Sequence, residues 1–215
     1  MNEPRVPFAV VIPAYNEARR IRRVIDAARR APGVVEIVVV DDGSTDHTAL
    51  VAQASGARVV KLPENRGKGA ALRAGAEDAQ APVLVFLDAD LLGLTPAHVL
   101  ALAEPVAAGR ADMTMGVFAA GRARTDLAQK LTPFLSGQRA LRRETFLAIP
   151  NLAEARYGVE VVLAGHAREA GLRVEKVNLP GVSQVMKEEK HGFWRGFGAR
   201  LRMYWEIVRS TWRYL

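Results

Sequence analysis

Two aspartates separated by one alanine, Asp88 and Asp90, close the apolar run VLVFLDADLLG at positions 83–93. Burying an unpaired carboxylate is costly, so such an ending needs a reason: a metal ion, a phosphate-transfer centre, or an acidic turn. Residues two apart in an extended segment face the same way, so Asp88 and Asp90 can converge. Mg²⁺ and Mn²⁺ accept carboxylate oxygens together with substrate phosphates. Such an ion, bridging a diphosphate, would stabilise its departure. Three other clusters accompany this pair. VIPAYNE holds Pro13, Tyr15 and Glu17, with Asn16 as a helix cap in the simpler reading. VVVDDGSTD holds Asp41 and Asp42, where a carboxylate can accept hydrogen bonds from a base or ribose; the simpler reading is a capped turn. NRGKGAALRAG sets Lys68 between two glycines at a helix start, suited to close backbone approach or anion contact. It lacks the spacing of a P-loop.

All four clusters follow strands. Apolar runs at 8–13, 36–40, 57–62 and 83–87 alternate with helical periodicity at 17–31, 46–55 and 67–79. Ser44, Thr45 or Asp46 is placed to cap the second of these helices. Short β-branched runs alternating with helices predict a parallel sheet covered on both faces. Ligands of such sheets sit at the carboxyl ends of the strands, where the four clusters fall together. Beyond Pro96 the pattern predicts a helix to about 108, a strand at 111–118, a basic loop or short helix at 119–136, and GQRALRRETF. A helix ending near Gly171 and two further strands then follow. As alternate residues of a strand, Arg139 and Arg143 would share one face and Arg142 would take the other.

The chain has 215 residues, 49% apolar and 25% charged, with a net charge of +7 and no cysteine. That composition fits one globular domain and excludes disulfides, thiolate metal sites and cysteine nucleophiles. The N-terminus is not read as a signal peptide, and no apolar stretch is long enough for a membrane span. A cytoplasmic protein is expected, with a peripheral position on the inner face of the cell membrane as the alternative. The charge does not point to nucleic acid, because the surplus is concentrated at the end and no binding motif accompanies it. Residues 193–215 carry all three tryptophans, with Trp194, Phe197, Leu201, Tyr204, Trp205, Val208 and Trp212 at helical spacing and arginines opposite. An amphipathic helix of that kind suits an anionic membrane surface; its alternatives are docking on its own domain or on a homodimer partner.

In this order VVIPAYNE, VVVDDGSTDHT, NRGKGAALRAG and FLDAD resemble the nucleotide-binding half of family-2 glycosyltransferases with the GT-A fold. SGQRALRRETF and YGVEVVL extend the resemblance toward polyprenyl- and dolichyl-phosphate sugar transferases. The resemblance implies a single α/β, Rossmann-like domain over 1–189, with 8–95 binding the nucleotide and 96–189 the acceptor, followed by the helix at 190–215. It implies a Mg²⁺- or Mn²⁺-dependent, inverting transfer from a nucleoside-diphosphate sugar of UDP or GDP type. The acceptor it implies is a polyprenyl phosphate or another membrane-associated molecule. Pro13, Ala14, Tyr15 and Glu17 would line the nucleoside, with Asp41 and Asp42 near the base and Lys68 nearby. Asp88 and Ala89 would lie by the ribose or diphosphate, Asp88 and Asp90 at the metal. A glutamine common in that family two residues past the second aspartate is replaced by Leu92, so Gln184 or His191 is expected to complete the metal shell. A hydroxyl acceptor needs a general base, and Glu160 in its apolar context, where burial raises a carboxylate's pKa, is the candidate. A phosphate acceptor needs only cations, for which Arg139, Arg142, Arg143, Arg122 and Arg124 are available. A nucleotide-sugar-binding scaffold without turnover, and a phosphatase of the D-x-D type, are the rival readings.

Overall fold

In the computed structural model, residues 6–119, 137–155 and 158–184 are described. The continuous β-branched runs become strands. These are β1 (Phe8–Ala14), β2 (Val34–Asp41), β3 (Arg58–Lys61) and β4 (Val83–Phe86), with α1 (Ile21–Arg29), α2 (Thr48–Ala54) and α3 (Lys68–Asp78) between them. The strands are buried throughout in β4 and nearly so in β1, buried over the second half of β2, and partly exposed at the edge strand β3. A two-residue strand β5 (Leu91–Leu92) precedes α4 (Pro96–Ala107), β6 (Met113–Ala119), β7 (Arg139–Arg142) and α5 (Arg143–Leu147). A 3₁₀ turn (Leu152–Glu154), α6 (Val159–Glu169), β8 (Val174–Pro180) and β9 (Ser183–Gln184) complete the described chain.

Seven strands form one sheet in the order β3-β2-β1-β4-β7-β6-β8. Every pairing in it is parallel except those of β7, which runs antiparallel to both β4 and β6. The expected mostly parallel, doubly covered sheet is therefore present. Alternation along β1 divides the core. Phe8, Val10 and Ile12 pack with Ile21, Ile25, Leu102 and Val106 on one face, while Ala9 and Val11 meet Ala71, Leu72, Phe146 and Leu163 on the other. Within the described residues the predicted elements hold with shifted ends. Strand β7 stops at Arg142 and Arg143 opens α5, so the strand alternation expected for Arg139, Arg142 and Arg143 does not extend across all three. The loop or short helix expected at 119–136, with Arg122 and Arg124, lies outside the described residues except for Ala119, as does the helix expected at 190–215, with His191.

One close approach fixes the start of α3. The Gly69 amide donates to the Ala155 carbonyl at 3.2 Å. A methyl group built on Gly69 would sit 2.1 Å from the Leu152 carbonyl oxygen and 2.6 Å from that of Ala155. Those obstacles are backbone, which cannot swing aside. Gly69→Ala is expected to cost about 2 kcal/mol, as overpacking does, read as a lowered urea midpoint with an unchanged slope.

Candidate active site

The strand ends are stitched to one another by local hydrogen bonds. The Asp42 amide donates to the Ala14 carbonyl at 2.9 Å. Asp42 then accepts from the Arg66 amide at 2.7 Å and the Gly67 amide at 2.9 Å, holding the glycine loop at the start of α3. Asn16 adopts a positive φ of 56°, and its side-chain oxygen accepts from the Thr45 amide at 2.9 Å. It thus ties the first loop to the second and does not cap its own helix. Asp41 accepts from the Ser44 amide at 3.1 Å, and the Glu17 amide donates to Thr48 Oγ1 at 2.8 Å. Helix α2 starts after His47 with no side-chain cap on that residue. Of the three expected caps, only Asp46 reaches the helix, accepting from the Thr48 amide at 2.9 Å. Burial works to raise the Asp46 pKa, and the hydrogen bonds from Thr48 and Ala18 outweigh it, leaving the carboxyl below its usual value. Glu17 is buried and ion-paired with Arg20 at 3.3 Å, whereas Tyr15 is 46% exposed.

Lys68 is the centre of the polar corner. Its Nζ lies 2.7 Å from Asp88 Oδ1 and 2.7 Å from Glu160 Oε1, joining α3, the end of β4 and the first turn of α6. Asp88 Oδ2 accepts from Gln138 Nε2 at 2.9 Å and also from Gln184 Nε2. Burial opposes the Lys68 charge, yet attraction to Asp88 and Glu160 prevails and raises its pKa. Burial likewise pushes the Asp88 carboxyl up, and the Lys68 ammonium with both amides more than offsets it, leaving the pKa lowered. The signs set the pH dependence. Stability from a depressed carboxylate is present above about pH 4, the ordinary range for Asp, and is lost as pH falls through the folded value. Stability from the raised Lys68 is complete below about pH 10 and is lost only above that. The urea midpoint is therefore expected to hold from neutrality to about pH 4 and to fall in more acidic buffer.

Several sequence expectations change here. Strand β4 ends at Phe86, and Ala89 and Asp90 lie in a turn that leads into β5. Asp88 and Asp90 are therefore not alternate residues of one strand, because β4 has already ended and the chain turns at Ala89 and Asp90. Both Asp88 oxygens are engaged by Lys68, Gln138 and Gln184. Gln184, expected as a metal ligand, directs its amide nitrogen to Asp88 instead. It reaches this corner because β9 pairs antiparallel with β5, setting Gln184 opposite Leu91 and Ser183 opposite Leu92. Glu160, in an apolar sequence context, is ion-paired with Lys68. Arg139 is 1% exposed and donates to the Glu160 carbonyl at 3.4 Å. Burial pulls its pKa down to about 10 against the pull of Glu160. Arg143 donates to the Ala76 carbonyl at 2.9 Å and to that of Glu77 at 3.1 Å, finishing α3, and Arg142 is exposed.

Sequence reasoning missed Gln138 and Gly137. A methyl group on Gly137 would meet Asp88 Oδ2 and Lys68 Nζ, each at 2.6 Å. The signal was the Gly-Gln pair just before a strand whose own partner is β4. Among the described residues no three His, Cys, Asp or Glu side chains gather into a metal cage. The donor set still fits a hard divalent ion that takes most of its ligands from a substrate diphosphate and few from the protein.

A profile of the family described as "Glycosyl transferase family 2" matches residues 9–177. The chain belongs to that family. Glucosyl-3-phosphoglycerate synthase of Mycobacterium tuberculosis is 35% identical over 194 residues, covering 73% of this chain and 59% of the synthase. Dolichyl-phosphate beta-glucosyltransferase of Drosophila melanogaster is 37% identical over 105 residues, covering 41% of this chain and 32% of that enzyme. A crystal structure of the mycobacterial synthase with Mn²⁺, UDP-glucose and phosphoglyceric acid superposes with a TM-score of 0.78 at 30% identity, covering 97% of this chain and 79% of that one. The fold of this family-2 chain is thus the GT-A architecture. The chain spans about three-fifths of the length of the synthase it matches.

Proposed function

We propose that this chain transfers a sugar from a UDP-sugar to a phosphate-bearing acceptor with the help of Mg²⁺ or Mn²⁺. The observation that carries the reading is the Lys68–Asp88–Glu160 bridge, with Asp90 two residues further along the chain, at the strand ends of a fold whose relative holds UDP-glucose and Mn²⁺. Tyr15 offers its ring to the base, while Asp41 and the loop held by Asp42 bound the nucleoside. Asp90 holds the ion, which supplies positive charge to the departing diphosphate. Lys68 and the two amides keep Asp88 ionised and oriented next to it.

A small phosphorylated hydroxy acid is the favoured acceptor, because the synthase relation extends over far more of the chain than the dolichyl-phosphate one. A lipid phosphate is the second reading, favoured by the aromatic and arginine residues of 193–215. For a hydroxyl acceptor Glu160 is the candidate base, and product configuration tests it. A base acting opposite the leaving diphosphate gives inversion, and retention removes that role from Glu160. The deciding assay offers UDP-glucose, UDP-galactose and GDP-mannose with Mn²⁺ to 3-phosphoglycerate, glycerol 3-phosphate and a polyprenyl phosphate. Transfer from a UDP-sugar to one of these acceptors is expected. Absence of calorimetric UDP binding in Mn²⁺, or binding without transfer to any of them, overturns the proposal, the second outcome in favour of a silent scaffold.

A further inference from the structure

Two loops form the edge at which Tyr15 and Asp41 stand, residues 15–18 after β1 and 42–48 after β2. Beyond the bond from the Asp42 amide to the Ala14 carbonyl, no backbone–backbone hydrogen bond joins them among the described residues. Side chains join them instead. The amides of three consecutive residues in the first loop each donate to a side chain of the second: Asn16 to Ser44 Oγ at 2.9 Å, Glu17 to Thr48 Oγ1 at 2.8 Å and Ala18 to Asp46 Oδ2 at 3.2 Å. In the return direction Asn16 acts alone. Its Oδ1 accepts from the Thr45 amide at 2.9 Å, from Thr45 Oγ1 at 3.3 Å and from the Asp46 amide at 3.3 Å. We infer that Asn16 is a positioning residue, which holds Tyr15 and Asp41 at a fixed separation and thereby sets the selectivity of the site between nucleobases. The inference rests on the nucleotide-sugar reading given above.

The backbone of Asn16 is unusual in the same place. Its φ of 56° lies in the left-handed region, which asparagine tolerates better than most residues other than glycine. A non-glycine residue keeps that conformation where its surroundings over-determine it, and such residues cluster at ligand clamps. The surroundings here are the six cross-loop bonds. The turn comes directly after Tyr15, whose side chain is 46% exposed, so it directs the chain past that ring. Ser44 carries the connection to Asp41. Its hydroxyl accepts from the Asn16 amide, and its own amide donates to Asp41 Oδ1 at 3.1 Å. Asp46 is held in turn by the Thr48 amide and hydroxyl. Successive amides in a turn can make a nest for an anion, but all three here are taken by the second loop. This edge therefore serves as a wall for base and ribose, and the diphosphate is left to the segment carrying Asp88 and Asp90. A wall fixed before binding discriminates by shape, because a base that does not fit meets groups that cannot move aside.

The test measures UDP and GDP binding to the full chain in Mn²⁺ by calorimetry. Asn16→Gly keeps the left-handed backbone accessible and removes the acceptor of the three return bonds. It is expected to weaken UDP binding about tenfold or more and to bring the UDP and GDP dissociation constants closer together. Asn16→Asp retains the acceptor and the tolerance of positive φ, and is expected to restore the wild-type ratio of the two constants. That ratio compares two diphosphates, so the added charge cancels in it. Ser44→Ala, which cuts the connection to Asp41, is expected to move the ratio in the same direction as Asn16→Gly. In Asn16→Gly the KM for the UDP-sugar is expected to rise while kcat stays within about threefold, because the Lys68 corner is outside the lock. A purely structural role would lower the urea midpoint and weaken both nucleotides equally. That outcome, an unchanged ratio in Asn16→Gly, or no recovery in Asn16→Asp overturns the inference. Absence of UDP binding by the wild type would instead remove the transferase reading beneath it, so the two failures are distinguishable.

Discussion

Replacing Asp90 by alanine is expected to remove the ability of Mn²⁺ to tighten UDP binding and to lower transfer at least about a thousandfold. The argument is one of donor supply. The described residues provide no cage of three metal-binding side chains, so an ion here depends on the diphosphate and on few protein oxygens. Asp88 accepts from Lys68, Gln138 and Gln184, and the proposed function accordingly assigns the metal to Asp90. The contrast variant is Asp88→Asn, in which the Mn²⁺ effect on UDP affinity is expected to persist while turnover falls. Calorimetry of UDP with and without Mn²⁺ on both variants checks this. Equal loss of the Mn²⁺ effect in both would return Asp88 to the metal shell.

Much of this arrangement is legible in the sequence because its first half is built from local patterns. Each apolar run in 8–87 is short, β-branched and followed by a polar cluster, so strand, turn and helix are specified within a few residues. The parallel sheet then brings the clusters to one edge without further information. What lies beyond that reach depends on pairing over long separations. Lys68 and Glu160 are 92 positions apart, and no period in the chain marks them as partners. Gln184 meets Asp88 across 96 positions, through a ribbon of two-residue strands too short to give a pattern. The gap at Leu92 is visible in the sequence, and one of the two residues expected to fill it, Gln184, reaches the corner and bonds to the Asp88 carboxylate. Arg139, Arg142 and Arg143 show the same limit. Alternation predicts their faces only while the strand lasts, and the change to helix at Arg143 assigns the three to a buried position, the solvent and the end of α3.

The corner's charge balance is tested most directly at Lys68. With Lys68 present, one ammonium joins two carboxylates, and three donors satisfy Asp88. In Lys68→Met the methylene stem is retained and the charge is removed, so Asp88 and Glu160 face each other with no cation between them. Breaking a fully buried pair by removing one partner costs about 3–5 kcal/mol. The side chains here are 25%, 16% and 15% exposed, and solvent screening reduces the expectation to about 2 kcal/mol. Transfer is expected to fall about a hundredfold or more, because Asp88 and Glu160 lose the contact that fixes both. The pH dependence separates this account from simple loss of packing. Without Lys68 the Asp88 carboxyl loses the attraction that does most to depress its pKa, so acid removes less stabilisation at this corner. The variant's urea midpoint is therefore expected to fall less steeply below about pH 4 than that of the wild type, the remaining slope coming from other depressed carboxyls such as Asp46 and Asp112. A variant that loses stability by the same amount at every pH would show that Lys68 contributes its stem and not its charge. Lys68→Arg retains the charge in a wider, planar group. It is expected to recover the acid dependence while transfer stays low, because the fork does not reproduce a single donor point between two carboxylates.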